Sequence, residues 1–349
     1  MWRAAPSPDP RPGFVNGLES VAVVSRRRAW AVGDYYTGQE VGAQGAFIER
    51  SDGRSWRVVP APGLRGATLG SVSASGADDV WAVGDGTDGG QLFEHWDGSR
   101  WRIVPGPSER ESSVFAVGAR APDDAWAVGV RGNGVVHTLI EHWDGRRWSV
   151  VRSPSPPGAN GTGPFAGLHA VSAISATDAW AAGESGGSAR APATRTLIEH
   201  WNGRRWTIVP SPNVRAARGV INDMLYGISA SRRDDVWAVG LWGVRPRVSG
   251  STGDHSLALH WDGRSWSRVA TPTVARRSSL QAVATSGERA WAVGDRGFPA
   301  RTLIERWDGK RWTLMPSPRG LWFSSIAAVS GGPVWAVGQT GHKPLAAHC

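Results

Sequence analysis

A nearly all-apolar segment of four residues recurs along the chain, and polar turns flank it each time. Trp-Ala-Val-Gly begins at six tryptophans and Trp-Ala-Ala-Gly at a seventh, in the order Trp30, Trp81, Trp126, Trp180, Trp237, Trp291 and Trp335. These tryptophans stand 44 to 57 residues apart. A period of that length is typical of propellers and arrays. Since the segment lacks polar alternation, we expect a strand that is buried on both faces between neighbouring units.

One complete unit extends from Thr68 to Pro105. The Asp97–Gly98 pair predicts a tight type I′ hairpin turn, in which both central residues have positive φ. A Gly-rich stretch, Asp85–Gly90, predicts the loop before it. The pattern therefore indicates four short antiparallel strands, which together form one propeller blade: Leu69–Ala74, Val80–Gly84, Gln91–Trp96 and Trp101–Val104.

The two ends of the chain complement each other. The last unit stops at Leu345–Cys349 without a fourth strand, whereas the chain begins with Trp2-Arg-Ala-Ala-Pro-Ser-Pro, which aligns with the fourth strand at Trp206. We therefore predict an all-β, seven-bladed β-propeller with four antiparallel strands per blade, as a single domain of residues 1–349. Its closing blade combines three C-terminal strands with one N-terminal strand, and this closure removes the exposed edges that an open array would present.

The repeated sequence Val-Trp-Ala-Val-Gly, Glu-His-Trp-Asp-Gly-Arg-Arg-Trp and Val-Pro-Ser-Pro resembles the kelch / galactose-oxidase-type propeller repeat, in a bacterial Trp-Ala-Val-Gly variant. The resemblance covers essentially the whole chain and implies the propeller fold, but a fold does not carry a function. Galactose oxidase activity needs copper and a Cys–Tyr crosslink. The chain has one cysteine, the C-terminal Cys349, and three tyrosines, so we do not transfer that activity.

The composition narrows the classes of partner. The net charge is +9, but the basic residues, almost all arginine, are scattered and form no basic arm, which disfavours nucleic acid. With Cys349 as the only cysteine, no intrachain disulfide forms. We expect no signal peptide in Met1–Gly13, no membrane span and a monomer. The compartment stays open, and an extracellular location would require a segment upstream.

Two kinds of connection predict two different faces of the propeller. The first-to-second and third-to-fourth turns of each blade are short and uniform, as at Asp78–Asp79 and Asp97–Gly98, and they form what we call the uniform face. The second-to-third and fourth-to-first connections vary in length and content and form the variable face. Insertions on one face of a propeller usually mark its binding side.

Two repeat positions vary where their neighbours do not. One, on the innermost strands, is occupied by Glu19, Gly70, Phe115, His169, Tyr226, Gln281 and Ser324. The other directly follows Trp-Ala-Val-Gly and is occupied by Asp34, Asp85, Val130, Glu184, Leu241, Asp295 and Gln339. Both are expected near the mouth of the central channel. The predicted ligand-binding residues are Glu19, Asp34, Tyr35, Asp85, His169, Glu184, Tyr226, Trp242, Gln281 and Asp295; Trp242 is expected to be exposed in the long connection Leu241–His255.

These features favour a non-catalytic binding propeller that presents its variable face to a glycan, peptide or protein. The alternative is a carbohydrate-active or other small-molecule enzyme that uses carboxylates at the channel mouth, and a pair about 5–10 Å apart would favour it. A structural interpretation of the same residues, as solvated acids and edge-covering aromatics, also stays open. No catalytic residue, metal site or cofactor is predicted; the histidines of the repeated Glu-His-Trp are expected to point outward or pack between blades.

Overall fold

The structure is a computed structural model that describes residues 1–37, 44–107, 111–132, 134–156, 165–186, 193–214, 220–245 and 253–349. These residues form 28 β-strands and no helix, so none of them belongs to an apolar helix of membrane-spanning length. The strands pair antiparallel in seven sets of four, which we call blades 1 to 7. Parallel pairs also join neighbouring blades: Thr194 with Asn222 between blades 4 and 5, and Val136 with Phe165 between blades 3 and 4.

The strands follow one another along the chain in blade order, except that the first strand belongs to the last blade. The first strand is β1 (Arg3–Ala5). Blades 1 and 2 contain β2 (Val15–Ser25), β3 (Arg28–Tyr36), β4 (Gln44–Ser51) and β5 (Trp56–Val59), then β6 (Thr68–Gly76), β7 (Asp79–Asp85), β8 (Gln91–Trp96) and β9 (Trp101–Ile103). Blades 3 and 4 contain β10 (Ser112–Ala121), β11 (Asp124–Arg131), β12 (His137–Trp143) and β13 (Trp148–Val150), then β14 (Phe165–Ser175), β15 (Asp178–Gly186), β16 (Thr194–Trp201) and β17 (Trp206–Ile208). Blades 5 to 7 contain β18 (Val220–Arg232), β19 (Asp235–Arg245), β20 (Asp254–Trp261) and β21 (Trp266–Val269), then β22 (Ser278–Ser286), β23 (Arg289–Arg296), β24 (Arg301–Trp307) and β25 (Trp312–Leu314), and finally β26 (Trp322–Ala328), β27 (Val334–Thr340) and β28 (Lys343–His348).

The blades close into a ring. Their first strands contact one another in the order β2, β6, β10, β14, β18, β22 and β26, and β26 contacts β2 again. Serine hydroxyls link neighbouring inner strands: the N–H of Val72 donates to Oγ of Ser20 at 3.1 Å, and the N–H of Val21 donates to Oγ of Ser325 at 3.3 Å across the closing boundary. Small residues are needed on these strands because seven of them crowd around one axis.

The N-terminal strand completes blade 7, as the complementary ends of the sequence predict. Arg3, Ala4 and Ala5 of β1 pair antiparallel with His348, Ala347 and Ala346 of β28. The side chain of Trp2 is only 7% exposed and packs in the core between blades 6 and 7. The all-β architecture and the closing blade shared by the two ends of the chain are therefore confirmed.

The repeated Trp-Ala-Val-Gly strand is buried on both faces. In β7, Trp81 and Val83 pack into the core shared with blade 3, whereas Val80 and Ala82 pack into the core shared with blade 1. Ala82 is 0% exposed, and so are its counterparts Ala127 and Ala238. The glycine that ends the motif is required by close backbone approach, because a Cβ on Gly84 would clash with the carbonyl oxygen of Thr68.

The turn between the third and fourth strands differs from the predicted type I′ hairpin. Trp96 pairs with Trp101, so four residues, Asp97–Arg100, connect β8 to β9. Gly98 has a φ of 90°, but Asp97 does not have a positive φ. Oδ1 of Asp97 instead accepts hydrogen bonds from the N–H groups of Ser99 and Arg100, at 2.9 and 3.0 Å. The prediction of turn type was wrong because aspartate serves here as a side-chain acceptor.

The histidines of Glu-His-Trp belong to the framework of the uniform face. Nε2 of His95 lies 2.6 Å from Oδ1 of Asp79, and its ring stacks on Trp81 with the ring centroids 4.3 Å apart. The same His–Asp contact recurs, at 2.8 to 2.9 Å, in blades 3, 4 and 5. Each pair fixes the third strand to the start of the second, in agreement with the structural role expected from repetition.

Candidate functional site

A β-bulge in every inner strand aims one residue at the ring axis. In β2 the pairing with β3 shifts between Leu18 and Ser20, which leaves Glu19 without a partner residue. A bulge adds one unpaired residue and redirects its side chain. In each of the six other blades the strand pairing shifts at the equivalent residue. These residues are Gly70, Phe115, His169, Tyr226, Gln281 and Ser324. These are the seven positions that vary along the sequence.

The seven bulged residues meet in one cavity of about 470 Å³ on the axis, which we call the central cavity. Asp295 and Trp322 complete its lining. A narrower space of about 220 Å³, lined by residues of all seven inner strands, lies against it. Gly70 leaves one part of the wall open. A Cβ atom at this position would have only the carbonyl oxygen of Phe115 as a close neighbour.

On one side of the central cavity, Glu19 in the wall and two aspartates behind it have carboxyl groups with raised pKa values. Burial raises the pKa of Glu19, and a hydrogen bond from Ser324 partly offsets this. The pKa of Asp34 is raised to about 7, mainly by burial. A hydrogen bond from the N–H of Leu69, at 2.9 Å, lowers this pKa, whereas the neighbouring charges of Glu19 and Asp85 raise it. Burial also raises the pKa of Asp85. The three carboxyl groups of blades 1 and 2 therefore form one electrostatically coupled group.

Two more acids are held by side chains of their own blades. In blade 6, the Ser279 hydroxyl donates to Oδ1 of Asp295 at 2.6 Å and accepts from Nε2 of Gln281 at 3.1 Å. In blade 4, Nε2 of His169 lies 2.7 Å from Oε2 of Glu184, whose side chain is 5% exposed. The hydroxyl of Ser279 thus orients Asp295 and Gln281 in the cavity wall, and Glu184 lies directly behind His169.

The opposite wall is an arc of aromatic rings. The ring of His169 stacks on Phe115, with centroids 5.4 Å apart and planes 10° apart. The ring of Tyr226 meets the other side of His169 edge-on at 5.8 Å. Trp322 adds a further ring to the lining from blade 7. The cavity thus offers carboxylates on one part of its wall and flat π-faces on another.

The structure brings only part of the predicted site together. Five predicted residues line the central cavity: Glu19, His169, Tyr226, Gln281 and Asp295. Asp34, Asp85 and Glu184 lie in a shell behind it. Tyr35 lies apart, packed edge-on against Phe14 at 5.7 Å beneath the guanidinium of Arg11.

Trp242 also lies apart, and two expectations about it were wrong. It belongs to β19, which continues to Arg245, and it pairs with His255 of β20, so it is not in a loop. Its ring is half-buried: it packs against the core of blades 4 and 5, stacks on His255 at 4.5 Å and lies 5.1 Å from the guanidinium of Arg268. The predicted connection Leu241–His255 is shorter than expected because both strands extend into it. Its residues 246–252 lie outside the described part of the chain.

The site-residue prediction also omitted two aromatic residues of the cavity wall. Phe115 and Trp322 line the central cavity and could have been included, since Phe115 occupies the varying bulge position and Trp322 lies outside any repeated tryptophan position. Among the described residues, no three His, Cys, Asp or Glu side chains are grouped so that they could hold a metal ion.

Comparison with known proteins adds to this geometry. No family model and no curated protein sequence matches the chain. Among solved structures, the WD40 β-propeller domain of Doa1 matches with a TM-score of 0.52 and 11% identity, over 100% of this chain and 97% of that one. The chain is a β-propeller.

Two other propeller-like matches widen the comparison. YCF48 bound to a D1 peptide matches with a TM-score of 0.60 and 14% identity, over 99% of this chain and 96% of that one. The polysaccharide lyase Uly1 matches with a TM-score of 0.58 and 10% identity, over 95% and 88%. At such identities the likeness shows the fold alone. It extends to propellers of different kinds and does not single out the kelch type.

Proposed function

We propose that this propeller is a non-catalytic binding protein whose variable face receives a peptide or protein, with a positively charged side chain of that partner entering the central cavity. One observation carries the proposal. The bulge repeats in all seven blades, yet it presents a different residue each time. A framework position repeats its residue, whereas a recognition surface needs chemical variety on a rigid scaffold.

The charge of the central cavity supports a cationic group. Glu19 and Asp295 line it, and the described residues of its wall include no lysine or arginine. A partly buried carboxylate is destabilised by lost hydration and gains when an opposite charge comes close. The faces of Phe115, Tyr226 and Trp322 add a second attraction, because a cation within about 6 Å of an aromatic ring gains roughly 0.5–2 kcal/mol.

A peptide partner also agrees with the fold comparison. The YCF48 structure is of a propeller bound to a D1 peptide. It supports the capacity of this architecture to bind peptides without identifying the partner of this chain.

We further propose that residues 1–349 act as one domain, since β1 pairs with β28. The Asp-Gly turn and the repeated tryptophans support kelch-type ancestry as a proposal.

A peptide array tests the proposal directly. Short peptides that differ only in a central Arg, Lys, Gln or Glu are probed with the purified chain, and the affinities of bound peptides are measured by calorimetry. We expect binding to require Arg or Lys. Glu19→Gln and Phe115→Ala should each weaken binding at least about tenfold, the effect of losing one charged or aromatic contact of about 1.4 kcal/mol.

The control is Glu288→Gln, which removes an exposed carboxylate from the β22–β23 turn on the uniform face. Its affinity should match the unaltered protein. Binding that ignores the central charge, or that persists in both cavity variants with their melting temperatures unchanged, contradicts the proposal.

A glycan-active enzyme is the second candidate, and the coupled carboxyl groups favour it. Asp34, with a pKa of about 7 beside Glu19 and Asp85, has the protonation range of a general acid. Incubation with defined oligosaccharides, followed by product analysis, separates the two functions. Turnover that Asp34→Asn abolishes would support the enzyme, whereas glycan binding without turnover would support a binding propeller with a sugar partner.

A further inference from the structure

The uniform face carries a repeated charge pair that blade 1 replaces. In blades 2 to 5, an aspartate two residues before the repeated tryptophan contacts a histidine on the next strand at 2.6 to 2.9 Å. In blade 1 the same two positions are Arg28 and Arg50, and Arg50 stands directly across from Trp30 in the β3–β4 pairing. An aspartate and a histidine are thus replaced by two permanent cations.

A third guanidinium joins them. Arg50 pairs across β4–β5 with Arg57, where the histidines of the other blades face Arg102, Ser149, Thr207 or Ser267. Like charges directly opposite each other on a sheet are destabilising. The guanidinium of Arg50 lies 5.5 Å from the ring of Trp30, which fixes it over the blade.

The nearby acids do not balance this charge. Arg28 donates to the carbonyl oxygen of Ala77 at 3.4 Å and lies 3.8 Å from Oδ1 of Asp78. Oδ1 of Asp52 accepts the N–H groups of Arg54 and Ser55 in its own turn, at 2.9 and 3.0 Å. Neither Arg50 nor Arg57 forms an ion pair with any carboxylate in the described ranges.

These arginines line a cavity of about 510 Å³ between blades 1 and 2, which we call the arginine cavity. Arg27, Arg28, Arg50 and Arg57 contribute four guanidinium groups, against the single carboxylate of Asp52. Guanidinium forks match the oxygens of a tetrahedral oxyanion in pairs, which a compact ammonium does not. The volume exceeds that of the oxyanion alone and leaves room for the group that carries it.

We propose that the arginine cavity is a binding site for a phosphate monoester, with Arg28, Arg50 and Arg57 holding the phosphoryl oxygens. The dianion relieves the repulsion between Arg50 and Arg57. This site lies on the uniform face and is independent of the central cavity, so either one can fail without the other.

The repeat itself supplies the variant that tests this site. Arg28→Asp with Arg50→His restores the pair that blades 2 to 5 carry, so the fold is expected to be retained. Blade 6 provides the matched control, since it has Arg289 and Arg306 at the same positions, with Thr313 instead of a third arginine. Arg289→Asp with Arg306→His makes the same change of charge there.

Calorimetry measures the affinity of each protein for inorganic phosphate, for a phosphoserine peptide and for the same peptide without phosphate, at low and high salt. We expect the phosphoserine peptide to bind the unaltered protein and the blade 6 variant equally, and to bind the blade 1 variant at least tenfold more weakly. The unphosphorylated peptide should not bind. The blade 1 variant should also melt at a higher temperature than the unaltered protein without phosphate, and phosphate should close that gap.

The remaining outcomes are equally decisive. Inorganic phosphate that binds as tightly as the phosphoserine peptide identifies free phosphate as the source of the same oxyanion. No binding of any phosphate probe, equal loss in the two double variants, or unchanged affinity in the folded blade 1 variant overturns the proposal.

Discussion

The hydroxyl of Ser153 donates to the carboxyl group of Glu199 across the boundary between blades 3 and 4, with Oγ 2.9 Å from Oε2. Ser7 makes the same contact with Glu49 at the closing boundary, also at 2.9 Å. Glu305 occupies the equivalent position in blade 6, but both its carboxyl oxygens are buried without a partner in the described residues. Thr271 stands where a serine would reach it, and its hydroxyl donates to the carbonyl oxygen of Ser256.

This relationship predicts how stability depends on pH. Burial raises the pKa of Glu49, Glu94, Glu199 and Glu305 to about 8, from 4.5 in an exposed chain. Between these values the folded protein keeps protons that the unfolded chain releases, so its free energy of unfolding falls as pH rises. We expect the melting temperature to decrease from about pH 5 to about pH 8, measured by circular dichroism.

Glu305→Gln isolates one of these groups. The amide has the shape of the acid and does not ionise, so the variant should gain at least about 1 kcal/mol at pH 8 and little at pH 5. Glu199→Gln should show a similar pH-dependent gain, because burial raises the pKa of Glu199 to about 8 as well, even with the hydrogen bond from Ser153. Identical pH profiles for the unaltered protein and Glu305→Gln would show that this carboxyl group has no part in the effect.

The closing strand can be tested through Trp2. Its side chain is packed in the core of blades 6 and 7, and Trp2→Ala should destabilise the fold by about 3–5 kcal/mol, the usual effect of truncating a buried tryptophan. Deletion of residues 1–6 should cost more, because it also exposes the edge of β28. Arg3→Ala, on an exposed side chain of the same strand, should leave the melting temperature nearly unchanged.

The buried alanine of the repeated strand predicts an overpacking effect. Ala127 lies in the core between blades 2 and 3, and Ala127→Leu should destabilise by about 1–3 kcal/mol in urea unfolding, because the interior cannot take the added atoms. Ala4→Leu, at an exposed position of β1, provides the matched control. If both variants unfold at the same urea concentration, the strand is not tightly enclosed.

Trp242→Ala should mainly lower the free energy of unfolding. Because the ring is half-buried against His255 and Arg268, the loss should be measurable but smaller than the 3–5 kcal/mol typical of a fully buried tryptophan. A role in ligand contact, with about 2 kcal/mol of binding energy, stays a prediction. A variant that keeps its melting temperature but loses peptide affinity in calorimetry would favour the binding role.

The number of repeats and the sharing of one blade by the two termini were predictable from the sequence by itself, because every blade repeats one local pattern that can be aligned along the chain. The second strand was predicted as Val80–Gly84 and extends over Asp79–Asp85, and the third was predicted with its observed bounds, Gln91–Trp96. Local hydrophobic pattern determines such strands. The alignment of Trp2 with Trp206 was enough to predict that the two termini share a blade.

Only the tertiary structure decided which residues meet. Glu19 and Asp295 stand 276 positions apart in the sequence, and they share the central cavity because ring closure places blades 1 and 6 around one axis and a bulge turns Glu19 inward. Trp242 received a packing role because two strands extended beyond their repeat pattern. Arg28, Arg50 and Arg57 became one charged cluster only through strand register. Such contacts depend on closure, bulges and register across blades, and a pattern along a single strand contains none of these.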